Sequence, residues 1–259
     1  MTDRILPLEG VLNFRDYGGY PTTAGPSIKR GRLYRSAHHS RATDADLEAM
    51  AELGLAVIVD LRRPNERRRE PSRRPPGFAG QVIENDIGDV DDDPWWNFVR
   101  ESDVSEEAFR SYLMDYYRAA PFEPRHVDLY SRYFKALAEV EGAVLIHCAA
   151  GKDRTGLLAA LTHHLMGVSR EDLIADYLLT NRALGFEQRL PMMTQALFEN
   201  AGRRPSEAAV RVALGVDEAY LLRAIEAIEA AHGDLDTYLQ AVLGVDDAMR
   251  QRIQARLLG

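Results

Sequence analysis

The run Gly142-Ala143-Val144-Leu145-Ile146-His147-Cys148-Ala149-Ala150-Gly151-Lys152-Asp153-Arg154-Thr155-Gly156 decides how the rest of the chain is read. It opens as a short, unbroken apolar stretch rich in β-branched residues, the pattern of a strand covered on both faces. It then passes through small and charged residues into Leu157 to Met166, an apolar helical segment closed by Gly167. Strand, tight loop and helix in that order mark the carboxyl edge of an α/β sheet, where such sheets bind ligands.

Five residues separate Cys148 from Arg154. That is short enough for the loop to wrap around one anion, with the sulfur beneath it and the guanidinium beside it. Ala149, Ala150 and Gly151 let the backbone come close, and a helix beginning near Thr155 aims unpaired N–H groups and its positive dipole end at the same point. His147 to Gly156 is therefore an anion nest, and its field favours a thiolate at Cys148 over a thiol. Arg154 offers a planar fork to two oxygens at once, where Lys152 adds only a point charge. The Thr155 hydroxyl is placed to donate to the sulfur, and His147 to steady the loop through backbone carbonyls. The bland alternative, a cysteine packed at a strand end among solvated charges, leaves this order of residue types unexplained.

The remainder of the chain supplies a sheet around this strand. Leu55 to Leu61 is a second central strand, with weaker candidates at Val11 to Phe14, Arg32 to Ser36 and Gln81 to Asn85. Helical patterns separate them. Thr43 to Leu53 opens with a Thr43/Asp46 capping box and stops at Gly54, and Ser105 to Ala119 and Glu123 to Val140 carry apolar residues at spacings of three and four. Alternating strands and helices predict an α/β fold with a central, mostly parallel sheet of about five strands flanked by helices. After Gly167 the pattern is helical throughout, opening on Ser169 and Asp172, so residues 1–180 read as the α/β core and 181–259 as an all-helical extension packed on it. Within the extension, Leu214-Gly215-Val216-Asp217 recurs as Leu243-Gly244-Val245-Asp246, each aspartate standing where it would cap a helix.

The chain of 259 residues, 46% hydrophobic, is large enough for one substantial core. With 40 acidic against 32 basic side chains, its net charge of −8 argues against nucleic acid or an anionic membrane as a partner. Its single cysteine rules out an internal disulfide and any multi-cysteine metal centre, and no metal or cofactor is called for. No stretch approaches the roughly 18 apolar residues of a membrane span, and Met1 to Gly10 lacks a signal-peptide pattern. A soluble cytoplasmic protein is expected, with export by a route without a signal peptide left open.

His147, Cys148, Arg154 and Thr155 match the His-Cys, five residues, Arg-Ser/Thr signature, and on these residues the chain resembles the protein tyrosine phosphatase superfamily. Asn13-Phe14-Arg15-Asp16-Tyr17-Gly18-Gly19-Tyr20, Asp60-Leu61-Arg62 and Gly151-Lys152-Asp153-Arg154-Thr155-Gly156 look like its bacterial tyrosine-specific branch with activity broadened to phosphoserine and phosphoinositides. The resemblance implies hydrolysis of phosphate monoesters through a phosphocysteine, with Cys148 as nucleophile, Arg154 and the loop amides as oxyanion holders, and phosphorylated proteins or phosphoinositides as partners. It also implies that Asp153, inside the loop, is the general acid, and that Lys152 favours highly charged substrates. Asp60 reads as a residue that orients loops, and Asp86 to Trp96, with Asp86, Asp89, Asp91, Asp92 and Asp93, as a solvated acidic loop whose alternative role is a rival source of the acid. Arg62 to Arg74, with seven arginines, reads as a solvated helix paired with Glu66 and Glu70, and Asn13 to Tyr20 as a Gly-Gly turn held by an Arg15–Asp16 pair. Two other classes stay open: a rhodanese-like sulfurtransferase and a phospho-ligand-binding module without turnover.

Overall fold

The computed structural model describes residues 4–88, 91 and 93–259. Among the described residues five strands form one sheet: β1 (Arg15–Asp16), β2 (Leu33–Ser36), β3 (Leu55–Asp60), β4 (Gln81–Ile83) and β5 (Ala143–His147), in the order β1-β2-β5-β3-β4. All neighbours are parallel except β1, which runs antiparallel to β2. The period of two in β3 and β5 splits their side chains between two apolar layers. Val57, Val59, Val144 and Ile146 enter the larger cluster, while Ile58, Ala143 and Leu145 enter the smaller one on the opposite face.

Register fixes where the chemistry lies. Ser36 and Asp60 both stand opposite His147, so the three central parallel strands end level with one another. The loop that follows His147 therefore leaves the sheet flanked by the ends of β2 and β3.

The helices begin where the caps predict. Thr43 and Asp46 form the capping box of α1 (Asp44–Ala51). Short α2 (Pro64–Arg69) and α3 (Pro94–Glu101) follow, then α4 (Glu106–Ala119), capped by Ser105, and α5 (Pro124–Glu139). Beyond β5 comes α6 (Asp153–Leu165), buried on almost every side as its apolar composition requires. Next, α7 (Arg170–Ala183) runs across the expected boundary, and the extension continues with α8 (Phe186–Ala201), α9 (Glu207–Leu214), α10 (Glu218–His232), α11 (Leu235–Ala241) and α12 (Asp247–Leu257). Ser169 caps α7, and the aspartates of the repeated motif, Asp217 and Asp246, cap α10 and α12.

The extension shares the core of the sheet. Leu221, Ile225, Tyr238, Ile253 and Leu257 belong to the same buried cluster as Val57 and Ile146. The chain end is stitched to the other terminus, with Lys29 N–H donating to the Leu257 carbonyl at 2.7 Å and Gly259 N–H to that of Ser27 at 3.1 Å. A separate apolar cluster joins α3 and α4 to α8 and α9 through Val99, Phe109, Leu197 and Val210.

Three expectations change. Val11 to Phe14 is not a strand, because Asn13 adopts a left-handed backbone with φ of 56°, and pairing starts only at Arg15. Arg15 does not pair with Asp16: consecutive strand residues point to opposite faces. Asp16 instead accepts from the Gly18 and Gly31 amides at 2.7 and 2.8 Å, while Arg15 turns inward. Arg62 to Arg74 is not one solvated helix, since α2 covers only Pro64–Arg69 and Arg62 is buried.

A chain ending at residue 180 would strip Leu221, Ile225, Tyr238, Ile253 and Leu257 from the main core. Such a fragment is expected to show no cooperative thermal unfolding by circular dichroism. A sharp transition near that of the full chain would instead make the extension a dispensable appendage.

Candidate active site

Four peptide oxygens at the end of β5 and in the loop after it are tied down on its outer side. The His147 carbonyl accepts from Leu61 N–H at 2.8 Å and the Ala149 carbonyl from His38 N–H at 3.1 Å. The Ala150 carbonyl accepts from Asn13 Nδ2 at 3.0 Å, and that of Gly151 from Asn13 Nδ2 at 2.8 Å and Arg35 at 3.0 Å. In a planar trans peptide the N–H of the next residue points the opposite way. The amides of Cys148, Ala150, Gly151 and Lys152 are thus turned inward, and the unpaired first turn of α6 continues the series from Asp153.

Gly151 is required by position as well as by conformation. Its φ is 65°, and a Cβ there would stand 2.3 Å from the Ser36 carbonyl oxygen at the end of β2. Gly156 lets α6 approach α7, where a Cβ would meet the Tyr177 ring at 2.8 Å. Cys148 is buried at the head of the loop. Thr155 Oγ1, in the first turn of α6, is buried with no hydrogen-bond partner among the described residues, so its proton is uncommitted.

Arg154 is gripped from α2. Glu66 accepts both prongs of the guanidinium, at 2.5 and 2.8 Å, and the Leu61 carbonyl accepts a further bond at 3.2 Å. Glu66 is itself oriented by the Arg63 amide at 2.7 Å. Burial opposes ionisation of Glu66, but the charge and hydrogen bonds of Arg154 prevail and hold its carboxyl down to about 2. Sequence reasoning left Glu66 among solvated pairs. The signal was its place at the third position of a helix opened by Pro64, six residues after Asp60.

Asp153 opens α6. Its carboxylate accepts from the Tyr117 hydroxyl at 2.9 Å, and Tyr117 and Tyr177 share a hydrogen bond of 2.6 Å. Lys152 Nζ lies 3.7 Å from the same carboxylate. Lys152 is only 5% exposed, however, and its ammonium donates to the Ala213 carbonyl of α9 at 2.9 Å. It is therefore not a lysine that only screens solvent.

Asp60, at the end of β3, accepts from the Arg62 amide at 3.1 Å and from its guanidinium at 2.9 and 2.7 Å. Burial works against the charge, but His147 at 3.6 Å and Arg62 hold Asp60 well below the usual carboxylate range. Burial pushes His147 down to about 3, so its imidazole is neutral at neutral pH, packed against the tilted ring of His39 with centroids 4.2 Å apart. Neither ring nitrogen of His147 has a close hydrogen bond among the described residues, but the backbone of Cys148 lies near enough to work against the effect of burial on the imidazole.

The acidic run faces the arginines. Arg67 pairs with Asp86, Arg68 with Asp91 at 2.7 Å and Arg69 with Asp93 at 3.1 Å. Asp89 and Asp92 lie outside the described residues.

The family model described as "Tyrosine phosphatase family" matches residues 6–259. A Cupriavidus necator protein whose name provisionally assigns it to the tyrosine-protein phosphatases is 33% identical over 247 residues, covering 94% of this chain and 85% of that one. The triple specificity protein phosphatase PtpB of Mycobacterium tuberculosis is 32% identical over 277 residues, covering 97% and 98%. A tyrosine-protein phosphatase of Nostoc commune is 28% identical over 245 residues, covering 92% and 78%.

Folding lowers the Glu66 carboxyl from 4.5 to about 2, so its contribution to stability is complete above pH 4.5 and is lost as the pH falls toward 2. Comparing urea unfolding at pH 7 and pH 3, Glu66→Gln should narrow its deficit relative to wild type at the acidic end, by about 2 kcal/mol at most. An equal deficit at both pH values would contradict the ion pair.

Proposed function

The chain belongs to the tyrosine phosphatase family, and from that premise we propose that Cys148, Arg154 and Asp153 carry its reaction, with the loop from His147 to Gly156 as the phosphate seat. The observation that supports this reading above the others is the outward tethering of the His147, Ala149, Ala150 and Gly151 carbonyls. In this reading it turns the Cys148, Ala150, Gly151 and Lys152 amides toward an anion seated between the sulfur and the Arg154 guanidinium.

In this reading the Cys148 thiolate attacks phosphorus in line with the leaving oxygen. The S–P bond forms as the P–O bond breaks, and Asp153 gives its proton to the departing oxygen. The equatorial oxygens gain charge against the loop amides and Arg154, whose fork Glu66 holds in a fixed plane. A water then attacks phosphorus, Asp153 takes its proton, and the sulfur leaves as thiolate, assisted by the Thr155 hydroxyl. Asp60 acts by keeping Arg62 and the end of β3 in place. Sulfur transfer gives way here to ester hydrolysis, the activity of the family.

Phosphoproteins are the substrate class that the family implies. We extend the proposal to phosphotyrosine together with phosphoserine or phosphothreonine and phosphoinositides, a breadth prompted by the relative named a triple specificity phosphatase. The burial of Lys152 against α9 shifts the expected source of that breadth away from a free lysine at the loop. The helical extension is proposed to belong to the same structural domain as the α/β core, because the two share one apolar cluster.

Steady-state hydrolysis of aryl and alkyl phosphates tests the assignments. Cys148→Ser should abolish turnover, and Arg154→Ala should cost at least about 10² in rate. Asp153→Asn should slow alkyl phosphates far more than aryl phosphates with good leaving groups. If Asp93→Asn produces that leaving-group dependence and Asp153→Asn does not, the acid lies in the Asp86 to Asp93 segment.

A further inference from the structure

Asn13 stands 138 positions before Gly151 in the chain, yet its amide is the donor for two consecutive loop carbonyls. Its left-handed backbone, φ of 56°, is a conformation asparagine tolerates better than most residues. The side chain is only 2% exposed, so no solvent competes strongly for these bonds. An amide could face the loop by either end. Here the choice is made by Arg15, whose guanidinium donates to Asn13 Oδ1 and leaves only the NH2 end for the carbonyls.

Arg15 is anchored in turn. Its Nε lies 3.4 Å from Asp176 Oδ1, and a terminal nitrogen donates at 3.0 Å to both the Asp176 carbonyl and Thr180 Oγ1 on α7. Arg35 connects the same anchor to the loop by a second route, from Asp176 Oδ2 at 2.7 Å to the Gly151 carbonyl at 3.0 Å. Asp176 is buried, and these two arginines are its charge partners.

We propose that Asn13, oriented by Arg15 and Asp176, is a positioning residue for oxyanion binding and thiolate stabilisation at Cys148. It acts from outside the loop, without touching substrate. By holding the Ala150 and Gly151 oxygens outward it keeps the Gly151 and Lys152 amides aimed at the anion and at the sulfur. Released, either peptide could rotate and present an oxygen to a phosphate, replacing attraction by repulsion. The inference rests on the phosphate-seat reading of the loop.

The test uses the full chain and two substitutions that both suit a left-handed backbone. Asn13→Gly removes the amide, and Asn13→Asp keeps its shape but sets a carboxylate against two carbonyls. The readouts are the inhibition constant of inorganic phosphate, the acidic limb of the pH profile of kcat/KM, and the melting temperature. For Asn13→Gly, phosphate inhibition should weaken about tenfold or more and the acidic limb should move upward by about one pH unit, with a larger loss for Asn13→Asp. Inhibition and acidic limb both within twofold of wild type would overturn the proposal. A merely structural role would lower the melting temperature and leave these two readouts unmoved in the protein that remains folded. Should the variants not fold, a crystal structure of the wild type with orthovanadate decides: Asn13 Nδ2 within hydrogen-bond distance of both carbonyls is expected, and its displacement from them overturns the role. If vanadate does not sit over Cys148 at all, the phosphate-seat reading itself fails, which is a different outcome.

Discussion

A peptide group is flat, so an oxygen held outward obliges the following N–H to face inward. Everything at this sheet edge depends on that constraint, applied at His147, Ala149, Ala150 and Gly151 in turn. No side chain inside the loop could create the same polarity, because Ala149, Ala150 and Gly151 have almost none to offer. The polarity is imposed from outside by β3, by the segment after β2, by Asn13 and by Arg35. The three parallel strands end level with one another, and this register brings those donors within reach of one short turn.

Charge follows the same plan on a larger scale. The chain carries a net charge of −8, yet its buried ionic groups at this edge are rich in arginine. Asp60 serves Arg62, Glu66 serves Arg154, and Asp176 serves both Arg15 and Arg35. The two terminal nitrogens of Arg125 donate to carbonyls, those of Leu61 and Arg62, at 2.7 and 3.1 Å. Buried pairs of this kind contribute little net stability after desolvation, but removing one partner leaves a costly uncompensated charge. Their value here is geometric: each acid fixes the plane or direction of an arginine, and the positive surplus stays beside the seat of an anion.

What was legible in the sequence is what local chemistry determines. The apolar runs of β3 and β5, the small-residue loop between β5 and α6, and the caps at Thr43, Ser105, Ser169, Asp217 and Asp246 each depend on neighbours a few residues away. The spacing of Cys148 and Arg154 belongs to the same class. What escaped was set by partners far along the chain: Glu66 on Arg154 across 88 positions, Asn13 on Gly151 across 138, Arg15 on Asp176 across 161. The burial of Lys152 escaped for the same reason, since it depends on α9, some sixty residues later. The helix at Pro94–Glu101 escaped because its apolar residues find their cover on α8, not in any local pattern.

The claim that carries the rest is that the loop keeps a reactive sulfur beneath the phosphoryl group it receives. Rapid acid quench during turnover of an aryl phosphate, followed by peptide mass spectrometry, tests it most directly. The peptide containing Cys148 should gain the mass of one phosphoryl group, localised on the sulfur, within the first turnover. Phosphoryl transfer to any other residue, or continued turnover with Cys148 unmodified at every time point, would contradict it.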